Sequence, residues 1–167
     1  MRIPLDAIDL RILEILQQDA GLANTDLAEK VGLSPAPCWR RVKRLEDTGI
    51  INRRVAILDP DAVGLPIVVF ASVKLTSHGA DALEQFENAV LAFAEVTECY
   101  TVSGGMDFLL RVVTTSMRAY EAFLREQVLR MPGVSEVHSR FVVTQVKYTT
   151  ALPVRHINTA QDDRRDG

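Results

Sequence analysis

The chain has 167 residues, 47% hydrophobic and 25% charged, with a formal net charge of −3. That length allows one domain or two small ones with a real core. No apolar run approaches membrane-spanning length and the N-terminus lacks a signal peptide's hydrophobic region, so a cytoplasmic protein is expected.

Leu5-Asp6-Ala7-Ile8-Asp9 opens a first helix, its carboxylates complementing the helix dipole. Leu5, Ile8, Ile12, Ile15 and Leu16 fall on one face, and Gln17-Gln18-Asp19 with Gly21 mark the end. A short second helix is expected to be capped by Asn24 or Thr25, with Leu27, Ala28 and Val31 inward. After Gly32-Leu33 comes the best-punctuated stretch in the chain. Ser34 sits at an N-cap position and Pro35 at the first helical position, where its missing N–H costs nothing. Gly49 falls at a left-handed C′ site with Ile50 behind it. Cys38, Val42 and Leu45 form a narrow buried stripe, while Trp39, Arg40, Lys43 and Arg44 lie opposite. Three short helices with a Gly turn before the third match a helix-turn-helix.

From Trp39 to Arg54, six basic side chains (Arg40, Arg41, Lys43, Arg44, Arg53, Arg54) stand against Glu46 and Asp47, a local excess of four positive charges. An acidic chain with one basic segment is steered to phosphates through that segment, in a salt-sensitive way. The candidate DNA-binding residues are Ser34, Ala36, Pro37, Trp39, Arg40, Lys43 and Arg44. The basic ones suit phosphates or guanine edges, and Ala36 and Pro37 suit thymine methyls. Trp39 is read either as a packing residue or as a sugar-phosphate surface. Arg41 lies beside the buried stripe and is a partner for Glu46 or a first-helix carboxylate. Cys38 is read as a small buried hydrophobe.

Ile50 to Leu58 has strand character, and Asp59-Pro60-Asp61 and Gly64-Leu65-Pro66 then punctuate the chain. The predicted division is a helix-turn-helix domain over 1–51, a hinge over 52–66, a second domain over 67–153 and a loose polar tail over 154–167. Ile67, Val69, Ala71, Val73 and Leu75 alternate on one strand face, and Val68 and Phe70 make the other face apolar at one end only. A helix from about Asp81 (Leu83, Phe86 and Val90 inward) precedes a strand over 96–102. The turn Ser103-Gly104-Gly105-Met106 follows, then a strand over 107–114. A helix capped by Ser116 carries Tyr120, Phe123, Leu124 and Val128 inward, Pro132-Gly133 stops it, and Val134 to Tyr148 can supply a last long strand. Val90-Leu91, Val96 and Glu98 recur with the same spacing as Val128-Leu129, Val134 and Glu136. Two such halves make a split ferredoxin-like βαββαβ sandwich, so the fold class is α+β. Its helix-free sheet face needs a cover, and a second copy of the chain is the predicted one.

Ser103, Gly104, Gly105, Met106 and Asp107 form the second candidate site. They read either as a plain hairpin connection or as a loop for a small zwitterion, backbone N–H groups meeting its carboxylate and Asp107 its ammonium. No Gly-Lys-Ser/Thr follows, which excludes a phosphate loop. Cys38 and Cys99 are too few for a disulfide framework or zinc site, and His78, His138 and His156 lack ligand spacing. No nucleophile and base pair, metal set or cofactor motif can be nominated.

Leu5-Asp6-x-x-Asp9-x-x-Ile12-Leu13, Leu27-Ala28, Val31-Gly32-Leu33-Ser34-Pro35 and Arg41-Val42-x-x-Leu45-Glu46-x-x-Gly49-Ile50-Ile51 resemble the DNA-binding domain of the Lrp/AsnC (feast/famine) transcription regulators. Ser103-Gly104-x-x-Asp107-Phe108-Leu109-Leu110 and Met131-Pro132-Gly133-Val134 resemble that family's effector domain. Pro37-Cys38-Trp39 and Lys147-Tyr148-Thr149-Thr150-Ala151-Leu152-Pro153 are most similar to a proteobacterial subgroup that includes regulators of amino-acid and cysteine catabolism. The resemblance spans Leu5 to about Val154. It implies a winged or plain helix-turn-helix joined by a hinge strand to a ferredoxin-like ligand domain. It also implies dimers, often assembling to octamers, with amino acids bound between dimers near the Gly-Asp turn. Gly105 and Thr144 stand where relatives are commonly acidic, which leaves effector identity open. The expected function is a cytoplasmic, nucleoid-associated transcription regulator that binds double-stranded DNA and responds to an amino acid. The alternatives are an amino-acid sensor without DNA competence and an enzyme built on the sandwich.

Overall fold

The computed structural model describes residues 3–77 and 79–156 and resolves into two compact units. Among the described residues, 3–56 and 147–156 make a helical unit, and those from 57 to 146 make a sheet unit.

In the helical unit, α1 (Ala7–Leu16), α2 (Asn24–Val31) and α3 (Pro35–Asp47) enclose a core of Ile12, Leu13, Leu16, Leu27, Ala28, Val31, Cys38, Val42 and Leu45. Leu5, Ile8, Ile15, Ile50 and Ile51 pack around it, so the apolar faces read from periodicity are the buried ones. Asp6 is the N-cap of α1 in a capping box: its carboxylate accepts from the Asp9 amide, and Asp9 accepts from the Asp6 amide. The expected cap of α2 is corrected. Its N-cap is Ala23, without a side-chain bond, because the Asn24 amide instead donates to the Pro35 carbonyl at 2.8 Å and fixes the start of α3. Ser34 holds the N-cap position of α3, yet its hydroxyl makes no capping bond. Pro37 occupies the third helical position, where an N–H would have been the donor. Gly32 and Gly49 both sit at φ +73°, the left-handed geometry that closes α2 and α3.

The sheet unit contains β1 (Ile67–Leu75), α4 (Ala80–Val90), β2 (Val96–Thr101), β3 (Phe108–Thr114), α5 (Met117–Glu126) and β4 (Val134–Phe141). The strands run antiparallel in the order β2-β3-β1-β4, which is the ferredoxin-like arrangement expected from the element order. Val69, Ala71, Val73, Leu75, Phe108, Leu110 and Val112 project to the helix side and meet Phe86, Val90, Tyr120 and Phe123. Phe86 stacks on Phe108 at 4.4 Å, and Phe93 meets Phe123 edge-on at 5.5 Å. The internal repeat holds in part: Val96 and Val134 each begin a strand and Val90 and Val128 are both buried, but Val90 ends α4 whereas Val128 opens a 3₁₀ turn (Val128–Arg130) after α5. On the opposite face the register groups Val68, Phe70, Leu109 and Val113 with Glu98, Tyr100, Arg111, Glu136, His138 and Arg140.

Four boundaries differ from expectation. The helix capped by Ser116 ends at Glu126, and Val128 lies in a separate 3₁₀ turn over Val128–Arg130, ahead of Pro132-Gly133. Ile50 to Leu58 forms no strand, because its backbone finds no ladder partner among the described residues and residues 52–58 are exposed. The last strand ends at Phe141 rather than Tyr148: Phe141 pairs with Val69, the Val142 N–H still donates to the Val68 carbonyl at 3.0 Å, and beyond that the register runs past the start of β1 at Ile67. The tail is not loose at its start: Val154 is buried in a 3₁₀ turn over Val154–His156 that packs on α1. The rest of the expected tail, 157–167, and His78 lie outside the described residues.

Phe108 is fully buried beneath α4. Replacing it with Ala should destabilise the sheet unit by about 4 kcal/mol. Denaturant unfolding followed by far-UV circular dichroism should shift, while fluorescence of the sole tryptophan, Trp39 in α3, should report a helical-unit transition that stays in place.

Candidate nucleic-acid interface and effector loop

The interior stripe Cys38, Val42 and Leu45 seats α3 on the helical core and so decides which side chains point outward. Ser34, Ala36, Trp39, Arg40, Lys43 and Arg44 are exposed and Pro37 is half-buried. All seven residues nominated from sequence are therefore on or beside the accessible face of one helix. Pro37, Arg40, Arg41 and Arg44, one turn apart, line an open cleft of about 480 Å³ with Asp6 at its edge. Three guanidinium groups around one concavity suit a phosphate.

Tertiary pairing makes these cations unequal. Arg41 Nη1 donates to Asp6 at 2.7 Å and to Asp9 at 2.8 Å, which settles its open assignment in favour of the first-helix carboxylates. Arg44 Nη2 donates to the other oxygen of Asp9, whose side chain is only 1% exposed. Arg44, nominated for DNA, is thus also a structural anchor. Lys43 pairs with Asp47 at 2.8 Å, a hydrogen bond that raises its pKa. Arg54 donates to Glu46 at 3.0 Å and to the Ala20 carbonyl at 2.9 Å. Arg40 is exposed and makes no ion pair among the described residues, which leaves it the least committed cation of α3. Asp6 and Asp9 were legible as first-turn carboxylates but not as anchors, since nothing in the spacing joins position 9 to position 44.

Trp39 is 57% exposed at the rim of a cleft of about 260 Å³ lined by Leu16, Leu22, Leu27 and Val42. Its indole is presented outward, as a contact surface requires. Cys38 is fully buried, and burial raises its thiol pKa although Arg41 opposes this. That is the chemistry of an inert core thiol.

In the sheet unit, Ser103, Gly104 and Gly105 are exposed, and Met106 and Asp107 half-buried, in the β2–β3 turn. Gly104 has φ +118°, and a Cβ at Gly105 would meet nothing within 4 Å. An acidic residue at position 105 would therefore fit. Asp107 is bound into the sheet: its carboxylate accepts from the Leu75 amide at 2.7 Å, its N–H donates to the Val73 carbonyl and its carbonyl accepts from Val102. Thr76 joins the same strand end to the Gly133 carbonyl at 2.8 Å.

Residues 68–152 match the sequence model of the Lrp/AsnC ligand binding domain, and residues 5–52 match a winged helix-turn-helix DNA-binding model. The chain belongs to the Lrp/AsnC family. It is 41% identical over 150 residues to the DNA-binding transcriptional activator DecR of Escherichia coli K12, covering 90% of this chain and 99% of that one. It is 40% identical to the leucine-responsive regulatory protein of Haemophilus influenzae, covering 90% and 91%. Among solved structures, transcriptional regulator NMB0573 of Neisseria meningitidis, in complex with L-Met, superposes with a TM-score of 0.88 at 39% identity, covering 91% and 98% of the two chains. An AsnC family regulator from Agrobacterium tumefaciens also gives 0.88, at 45% identity and 92% and 100% coverage. This Lrp/AsnC protein is thus a transcriptional regulator with a helix-turn-helix unit and a ferredoxin-like ligand-binding unit. The ligand-binding model extends to residue 152, whereas residues 147–156 pack with the helical unit. Among the described residues no helix is long and apolar enough to cross a membrane, and no three His, Cys, Asp or Glu side chains are grouped to hold a metal.

Replacing Asp9 with Ala strips both arginines of their buried partner and should cost the helical unit about 3 kcal/mol. Asp6 gives a pH signature. Partial burial raises its pKa, but hydrogen bonds from the Asp9 amide and Arg41 outweigh burial and hold it below the ordinary aspartate value. The group is more acidic folded than unfolded, so its stabilisation is complete above about pH 4 and is lost as pH falls through the folded value. Asp6→Asn keeps a capping oxygen and removes that proton uptake. Urea midpoints read by Trp39 fluorescence should fall less steeply below about pH 4 in the variant than in the parent.

Proposed function

We propose that this regulator binds double-stranded DNA as a homodimer or a higher assembly such as an octamer, with α3 of each protomer in a major groove. An amino acid or closely related molecule, held at the 103–107 loop, modulates that binding. The single observation that carries the DNA reading is the arginine-lined cleft on α3, with Arg40 uncommitted at its rim. Ser34, Ala36, Pro37, Trp39, Arg40, Lys43 and Arg44 form the contact surface in this reading, and two copies favour half-sites about one helical turn apart. Residues 52–66 serve as the hinge. Catalysis has no part in this reading, and a cytoplasmic, nucleoid-associated location goes with it.

The effector reading is supported by the exposed residues Ser103 to Gly105 next to the anchored Asp107, and by the L-Met in the complex of the Neisseria relative. Donors for a carboxylate lie beside a negative charge for an ammonium, which is the recognition chemistry of a zwitterion. The sheet face bearing Val68, Phe70, Leu109 and Val113 is the surface a second copy would cover.

Two measurements test the reading. On a promoter fragment, Arg40→Ala should weaken binding and flatten the slope of log affinity against log salt by about one per bound protomer. Lys43→Ala should do less, because that ammonium must first leave Asp47. Unchanged affinity and slope in Arg40→Ala would reject α3 as the DNA contact. In thermal-shift assays with L-leucine, L-methionine and the other common amino acids, at least one should raise the midpoint. Asp107→Asn, which keeps an oxygen for the Leu75 amide, should abolish that shift with the unliganded midpoint preserved. A ligand shift without salt-dependent DNA binding would favour a sensor lacking DNA competence.

A further inference from the structure

The two ends of α3 are held by different means. From Cys38 onward the helix is seated by its buried stripe, and Arg41 and Arg44 are gripped by the carboxylates of α1. The first turn, residues 34–37, lacks these supports. Ser34, Pro35 and Ala36 are exposed and Pro37 is half-buried. The Ser34 hydroxyl makes no capping bond, and Pro35 and Pro37 have no N–H to give. Behind this turn lies Gly32, at φ +73°, where α2 ends. One brace crosses that joint. Asn24, the first residue of α2, donates its side-chain amide to the Pro35 carbonyl at 2.8 Å, eleven residues along the chain. Among the described residues no other side-chain hydrogen bond reaches residues 34–37. The Asn24 side chain therefore serves α3 rather than its own helix, whose N-cap, Ala23, has no side-chain bond. Short side chains such as Ala36 and Pro37 meet bases only when their backbone is held to within about 0.5 Å. The long side chains of Arg40 and Lys43 can follow a displaced phosphate, so loosening the first turn costs them less.

We propose that Asn24 is a positioning residue for sequence discrimination: through the Pro35 carbonyl it holds the first turn of α3 in register with the base edges. It acts through the α3 backbone and not through a base contact of its own. Two duties are thereby separated along one helix. The α1 carboxylates govern the cations that supply affinity, and Asn24 governs the turn that reads sequence. This rests on the reading of α3 as the DNA contact.

The test uses the full chain, a DNA site recovered from a randomised library, and an unrelated duplex of the same length. Asn24→Ala removes the brace. Asn24→Asp keeps the shape, loses the donor and places a carboxylate in the first turn of α2, where the helix dipole favours it. In both, the ratio of affinity for the recovered site to that for the unrelated duplex should fall about fivefold or more. Affinity of Asn24→Ala for the unrelated duplex should stay within about twofold of the parent, because phosphate contacts supply it. A single-substitution scan of the site should flatten at some base pairs in Asn24→Ala. The base pairs whose discrimination is lost in Arg40→Ala should keep theirs. Hydrogen exchange should quicken at the Cys38 amide, which donates the first backbone bond of α3 to the Ser34 carbonyl. Trp39 fluorescence should report a folded helical unit, and if Asn24→Ala does not fold, the affinity ratio of Asn24→Asp carries the test. An unchanged ratio, or equal losses on both duplexes, overturns the positioning role while Arg40→Ala still weakens binding. If Arg40→Ala also leaves binding unchanged, the reading of α3 fails and this proposal with it.

Discussion

The Asp9 carboxylate is the constraint on which the DNA-binding unit depends. It is almost fully buried, accepts from the Asp6 amide, and holds Arg41 and Arg44 across from α3. A carboxylate so desolvated is tolerable only when its lone pairs are filled, and here backbone and guanidinium donors fill them. The same contacts that neutralise Asp9 therefore fix the rotation of α3 about its axis. Capping, helix packing and arginine presentation are one network, so a change at residue 9 reaches the surface of residues 40–44 without touching it.

A comparable economy governs the end of the sheet that carries the β2–β3 turn. Asp107 ties the β2–β3 turn to the last residues of β1, and Thr76 ties the same place to the turn before β4. Both ties meet at one strand end, beside the exposed residues 103–105. A loop whose rear is hydrogen-bonded to the sheet has less conformational entropy left to lose.

Much of this was legible because it is local. The stripes at Cys38, Val42 and Leu45, and at Val69, Ala71 and Val73, follow from helix and strand periods, and Gly49 and Ser116 punctuate as their chemistry requires, whereas α5 ends at Glu126, ahead of Pro132-Gly133. The misreadings share one cause. Asn24 or Thr25 reads as a cap because such side chains commonly bond nearby backbone, yet the Asn24 side chain bonds a carbonyl eleven residues away. Ile50 to Leu58 and Val142 to Tyr148 have strand composition, but a strand exists only where a ladder partner does. The apparent +4 charge of the basic segment is likewise a property of composition, reduced in space by Asp6 and Asp9 from another helix.

The sequence by itself determined the element order, both cores and the family, because these rest on periodicity, capping and motifs that act within a few residues. Only the tertiary structure decided which arginines are committed and which remains available, that Asp107 is a brace as well as a charge, and that the tail returns to α1. Each of those outcomes is a competition among partners far apart in the chain, settled by burial and hydrogen-bond geometry. A linear pattern names the competitors but carries no information about which of them the fold brings together.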